Sequence, residues 1–218
     1  MDLNKAKIQS DGRLDKLKLR IVVRGDLQNK SLVVDTWSPT ASMSTFKYFL
    51  VDATKHKEIV HQLYFIGAFL QSKVKNRVFV KLNIRYTDYF PEYAKYFERA
   101  LRLLKSVYGM NNYGKLFADE LTEWLLEAGL LQSQCQMSIY YKYALDGSKI
   151  AALYYVDDIF YWYTNEDLGK WFVDTLGKRF HVNFLGYEHW FMSMRISQMK
   201  YHSVSVDQAR YATSNFSI

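Results

Sequence analysis

The feature that most restricts the fold is a pair of apolar runs, residues 150–156 and 159–163, that flank the carboxylates Asp157-Asp158. Two short apolar runs joined this tightly form a hairpin pattern, which puts adjacent carboxylates at the tip of an otherwise apolar ribbon. The chain must therefore form a sheet whose turn carries two negative charges. Like charges this close raise one another's pKa unless a cation offsets them. A divalent ion such as Mg²⁺ takes hard oxygen ligands, commonly one or two carboxylates plus substrate phosphates. Asp is also a common turn residue, and two exposed Asp in a turn need no metal. Physics alone leaves both alternatives open.

Around this hairpin the chain alternates helical and strand patterns without a regular βαβ rhythm, so the predicted class is α+β. Residues 1–15 are polar, with a turn signal at Asp11-Gly12. Lys16-Leu17-Lys18-Leu19-Arg20-Ile21 then alternates strictly, as a strand with one apolar and one basic face. Met43, Phe46, Leu50 and Ala53 recur at helical steps. Residues 59–63 and 78–82 read as strands, and Pro91 can open a short helix to Phe97. Residues 115–128 are the clearest helix, with Phe117, Leu121, Trp124, Leu125 and Ala128 in one stripe and Gly129 placed to end it. Thr164 or Asn165 can cap a helix carrying Leu168, Phe172, Leu176 and Phe180, and residues 184–196 are aromatic and strand-like.

The bulk numbers set the class. A 218-residue chain with 49% hydrophobic and 23% charged residues is an ordinary globular sequence, long enough for one sizeable domain, spanning residues 1–218, or for two small lobes sharing a core. Only Pro39 and Pro91 break it, and no low-complexity linker divides it. Its single cysteine, Cys135, excludes an internal disulfide framework or Cys-based zinc site and fits an intracellular, cytoplasmic setting. The polar N-terminus is no secretory signal, and no apolar run is long enough to cross a bilayer, so no membrane partner is expected. The five His show no metal-ligand spacing, and no glycine-rich phosphate loop is present. A formal charge of +7 favours polyanions such as nucleic acid, although many soluble proteins carry as much for solubility. Lys16, Lys18, Arg20 and Arg24 can grip phosphates, or simply protect an edge strand. Gly109, after Tyr108, marks a break where a ring or backbone can approach closely, or only a turn.

Six segments stand out in order. They are Lys18-Leu19-Arg20-Ile21-Val22-Val23-Arg24-Gly25-Asp26-Leu27-Gln28, Asp35-Thr36-Trp37-Ser38-Pro39-Thr40, and His61-Gln62-Leu63 with Ala68-Phe69-Leu70. Leu104-Lys105-Ser106-Val107-Tyr108-Gly109-Met110, Tyr155-Val156-Asp157-Asp158 and Val206-Asp207-Gln208-Ala209-Arg210-Tyr211 follow. Together and in this order they resemble the reverse transcriptases of copia-type retrotransposons. No single segment is specific, but six in the family's order favour the metal-binding alternative for the Asp pair.

The resemblance implies a right-hand polymerase fold, with fingers and palm interleaved in sequence and an antiparallel palm sheet packed on helices. It implies RNA-directed DNA synthesis from an RNA or DNA template with primer, deoxynucleoside triphosphates and two Mg²⁺ ions. By position, Asp157 and Asp158 would be catalytic metal ligands, and Lys18 and Arg20 triphosphate contacts. Phe69 would be the gate against a ribose 2′-hydroxyl, and Tyr108 and Gly109 would lie under nucleotide and template. The chain departs from the family at Tyr64, where a catalytic Asp is expected directly after His-Gln-Leu. A phenol is neutral at pH 7 and a poor Mg²⁺ ligand. Asn111-Asn112-Tyr113-Gly114 also replaces the family's Lys-Gln-Ser-Pro. Thumb, connection and ribonuclease H regions are expected to be absent. The expectation is an impaired polymerase with impaired metal binding, the alternative a nucleic-acid-binding remnant without catalysis.

Overall fold

A computed structural model describes residues 2–8, 13–29, 35–81, 90–96, 99–185, 189–192, 194–199, 203–209 and 212–213. It is a mixed α and β structure with antiparallel sheets, in two compact units built from interleaved stretches of chain. Residues 1–38 and 69–120 form the first unit, and residues 39–68 and 121–218 the second. Among the described residues, no helix is long and apolar enough to cross a membrane.

The second unit is organised by a six-stranded sheet. Its strands are β3 (His61–Phe65), β6 (Leu131–Gln132), β7 (Ile139–Tyr143), β8 (Lys149–Tyr155), β9 (Asp158–Tyr163) and β10 (Val182–Phe184), in the order β10-β3-β9-β8-β7-β6. Directly paired residues share a face, so the ladder sorts side chains by parity. Leu153 pairs with Phe160 and Ala151 with Trp162, and this face packs on α1 (Met43–Lys55). Ser42 caps α1 by accepting the Thr45 N–H, and Phe46, Phe49, Leu50 and Ala53 are buried beneath it. Phe46 stacks on Phe191 at 3.9 Å and meets Phe160 edge-on at 4.9 Å. Phe191 belongs to a three-stranded sheet of β11 (His189–Phe191), β12 (Met194–Gln198) and β13 (Val204–Asp207).

The opposite face carries Leu63, Tyr154, Ile159 and Tyr161. It packs on α4 (Glu166–Arg179), through Tyr161 against Phe172 at 5.3 Å, and Phe65 meets Phe180 at 5.6 Å. Asn165 caps α4, accepting from the Asp167 and Leu168 N–H groups. Gly169 lies under Tyr163 so closely that a Cβ there would sit 2.5 Å from the ring.

The first unit holds the hairpin of β1 (Asp2–Ile8) and β2 (Leu14–Ile21), a ribbon of β4 (Phe79–Lys81) and β5 (Ala100–Arg102), the 3₁₀ helix Pro91–Tyr96, and most of α2 (Ala68–Gln71). The stripe helix, α3 (Tyr113–Glu127), runs from the first unit into the second and ends, as its pattern predicts, before Gly129 at φ +82°. β1, β6 and β7 are not anticipated from sequence. The segment expected as a helix from Pro91 is 3₁₀ rather than α, with N–H groups bonded three residues back at Tyr93 and Arg99.

Candidate active site

The carboxylate pair lies where the hairpin pattern puts it. Tyr155 and Asp158 are the closing pair between β8 and β9, and Val156-Asp157 is the two-residue loop. Val156 has φ +53°, the sign demanded of the first loop residue in a type II′ turn. A β-branched residue held there costs on the order of 1–3 kcal/mol. The turn is supported from β3, whose Phe65 N–H donates to the Asp157 carbonyl at 2.8 Å.

Tyr64 pairs directly with Asp158, so the phenol and this carboxylate share one face of the sheet. Gln62, two residues earlier and therefore on the same face, donates from Nε2 to Asp158 Oδ1 at 2.8 Å. Burial pushes the Asp158 carboxyl up to about 6, with the Gln62 bond opposing the shift and the Asp157 charge adding to it. Tyr154 is raised strongly, first by burial and then by the Asp157 charge. Asp157 and Asp158 are both half-buried. No group of three or more His, Cys, Asp and Glu side chains that could hold a metal occurs among the described residues. Two Mg²⁺ ions require several anionic oxygens. Two carboxylates, one already engaged by an amide, beside a phenol do not fit that demand.

The first unit gathers the other candidates. Arg20 and Lys18 lie on β2, opposite Leu3 and Lys5, and the Lys18 side chain lies outside the described part of the structure. The Arg20 guanidinium sits over the Tyr108 ring at 5.7 Å, and Phe69 meets Tyr108 edge-on at 5.9 Å. Phe69 is 8% exposed, its ring also met by Tyr113 at 4.5 Å and Phe117 at 6.2 Å. Its carbonyl accepts from the Ser72 hydroxyl at 3.1 Å and from Ser106. Gly109, at φ +90°, is the close approach its sequence position suggests, and the visitor is backbone. Val23 N–H donates to Tyr108 carbonyl at 2.9 Å, and a Cβ on Gly109 would collide with the Val23 carbonyl. Gly25 is equally pressed, against the Gly109 carbonyl. Asn111 completes the knot, its Nδ2 donating to the Gly25 carbonyl at 2.9 Å and its N–H to Gln28 Oε1 at 3.0 Å.

Asp157, Asp158 and Tyr64 thus come together in one unit, and Arg20, Phe69, Tyr108 and Gly109 in the other. Sequence reasoning passes over Gln62, although its place two residues before Tyr64 on a strand puts both on one face. It also passes over Gln28 and Asn111, whose bond joins positions 83 apart in sequence.

A family model described as reverse transcriptase (RNA-dependent DNA polymerase) matches residues 3–216. Two Arabidopsis thaliana proteins are similar over 94% of the chain: the retrovirus-related Pol polyprotein from transposon RE2, 28% identical over 207 residues, and that from transposon RE1, 27% identical over 209. The chain spans 14% of the length of each. No solved structure matches it. The chain therefore belongs to the reverse transcriptase (RNA-dependent DNA polymerase) family, as a region of the copia-type retrotransposon kind.

Proposed function

We propose that this chain is the interleaved fingers and palm of an RNA-directed DNA polymerase in which nucleotidyl transfer is lost. The observation that carries the reading is Tyr64, opposite Asp158 at the place where the family's sequence pattern calls for Asp. Mg²⁺, where bound, would supply positive charge for phosphoryl transfer; Asp157 and Asp158 would be the carboxylates left to hold it, and Gln62 already occupies one oxygen of Asp158. Loss of one anionic ligand weakens cation binding and removes charge stabilisation from the transition state, where preorganised electrostatics matters most.

The substrates of the reading are primer–template and deoxynucleoside triphosphates. Lys18 and Arg20 serve as triphosphate contacts, Phe69 as the sugar gate, and Tyr108 and Gly109 as the floor beneath the nucleotide. Arg20 held over Tyr108 supports that assignment, because it presents a cation beside a ring. Primer extension on an RNA template, comparing the natural chain with Tyr64→Asp, tests the proposal. Nucleic-acid binding without catalysis is the second reading, favoured by a basic, aromatic segment of the first unit.

A further inference from the structure

Two helix faces of the second unit carry opposite charge beside exposed apolar side chains. On α1, Lys47, Val51 and Lys55 stand four residues apart along one side, with Tyr48 beside them, and all four are exposed. Tyr48 is 63% exposed and Val51 65%. Asp52, the one acid of α1, is engaged elsewhere, 3.2 Å from Lys149 Nζ and 3.7 Å from His56 Nδ1. Among the described residues, Lys47 and Lys55 have no acidic partner. The last turn of α3 is the counterpart. Glu123 and Glu127 stand four residues apart with Leu126 on the same side, and all three are exposed, Leu126 by 47%. That turn holds no Lys or Arg, although the C-terminal end of a helix carries partial negative charge and favours cations. Lys142 Nζ meets the Ala128 carbonyl just beyond, at 2.8 Å, but among the described residues neither glutamate has a cationic partner.

A face kept only for solubility would mix charges of both signs. Here each face holds one sign around an apolar centre, and each supplies what the other lacks. We propose that α1 of one copy of this chain docks on the last turn of α3 of a second copy, with Leu126 seated on Tyr48 and Val51 and the two glutamates meeting Lys47 and Lys55. Within one chain the two faces cannot meet. α1 packs on the sheet face of Leu153, Phe160 and Trp162. α3 packs on the opposite face, where Thr122 Oγ1 lies 2.7 Å from the Tyr140 hydroxyl and Trp124 meets Phe172 at 6.3 Å. Tyr140 stands there in one row with Ala152 and Tyr161. The two helices therefore look out on opposite sides of the sheet, and the contact runs head to tail rather than about a two-fold axis. It covers about two helical turns, well short of the roughly 800 Å² per partner of a standard interface, so the association is weak and reversible. A polyanion would take the lysines and leave the glutamates unused. The inference does not depend on the reading of Tyr64.

The test is sedimentation velocity of the nuclease-treated full chain at concentrations up to about 0.5 mM, where a contact below standard size becomes populated. The natural chain should associate past the dimer as concentration rises, and less so at high salt, which screens exposed charges. The variant Lys47→Glu, Lys55→Glu and the variant Glu123→Lys, Glu127→Lys should each associate at least about tenfold more weakly, because like charges then face one another. An equimolar mixture of the two variants should regain the association, since each offers the face that the other needs. Tyr48→Ala with Val51→Ala should weaken it without changing its salt dependence. Unfolding midpoints in urea check that the variants, all at exposed positions, still fold. A natural chain that stays monomeric throughout would overturn the docking. So would a charge variant that associates as the natural chain does, or a mixture no stronger than its components.

Discussion

Replacing Asp158 with Asn should stabilise the protein at neutral pH, although it removes one of the two carboxylates at the candidate site. Burial lifts the Asp158 carboxyl from 3.8 to about 6. A folded-state pKa above the unfolded value means that the folded protein holds the proton more tightly. Stability therefore falls as pH rises from about 4 to about 6, and the cost is fully present above that window. A shift of about two units corresponds to at most ~3 kcal/mol, and partial solvent screening reduces it to about 1–2 kcal/mol. Asn keeps an oxygen for the Gln62 amide at the position of Oδ1, so the bond at 2.8 Å survives while the buried charge goes. For a chain of this size each kcal/mol moves Tm by roughly 2–4 °C, so Asp158→Asn should melt roughly 2–8 °C higher at pH 7.5. The advantage should shrink as pH falls below 6 and be mostly gone by pH 4, where the folded carboxyl is protonated and the unfolded one roughly half so. Thermal unfolding followed by circular dichroism across pH 4 to 7.5, in EDTA, measures both. A variant that melts lower at pH 7.5, or whose advantage does not change with pH, would refute the assignment of Asp158 as a carboxylate held at a stability cost.

Other expectations follow from the same geometry. Gly169→Ala should destabilise by about 1–3 kcal/mol in urea unfolding, because its Cβ meets the Tyr163 ring, against the ~1 kcal/mol that Ala ordinarily gains over Gly inside a helix; a net gain would show that Tyr163 can swing away. Gly109→Ala should cost more than about 2 kcal/mol, combining a positive φ with a collision against the Val23 carbonyl; a neutral result would mean the two backbones do not cross there. Millimolar Mg²⁺ should leave the Tm of the natural chain unchanged and raise that of Tyr64→Asp, since a ligand stabilises only the state that binds it. Equal shifts in both would mean that Tyr64 does not limit metal binding.

How much of this was legible in the sequence depends on whether the signal was local. The turn was, because two apolar runs flank a polar tip, although the two-residue loop is Val156-Asp157 and Asp158 already begins β9; so were α1 and α4, from their apolar stripes and, for α4, the cap at Asn165. β1 was not: Asn4, Lys5 and Lys7 carry little strand preference, and the strand exists through its pairing with β2. β7 was hidden because its burial comes from pairing: it lies between β6 and β8, and Tyr140 is buried there. The strand carrying Tyr64 was expected two residues early, since His61 and Gln62 look polar although both are buried, His61 under the rings of Tyr161 and Tyr163. At the site, the motifs named Arg20, Phe69 and Tyr108 by position, whereas Gln62's hold on Asp158 and Asn111's on Gly25 are contacts across 96 and 86 residues that no local pattern encodes.

On the proposed reading, a phenol at Tyr64 stands where nucleotidyl transfer needs a carboxylate. That reading is tested most directly by primer extension on an RNA template with Mg²⁺, using the natural chain and Tyr64→Asp, each extended by the segment that follows this region in a Pol polyprotein relative. Asp157→Asn in the Tyr64→Asp background serves as the control. The expected result is no extension by the natural chain, extension by Tyr64→Asp, and its loss again in the control. Robust, Mg²⁺-dependent extension by the natural chain would contradict it.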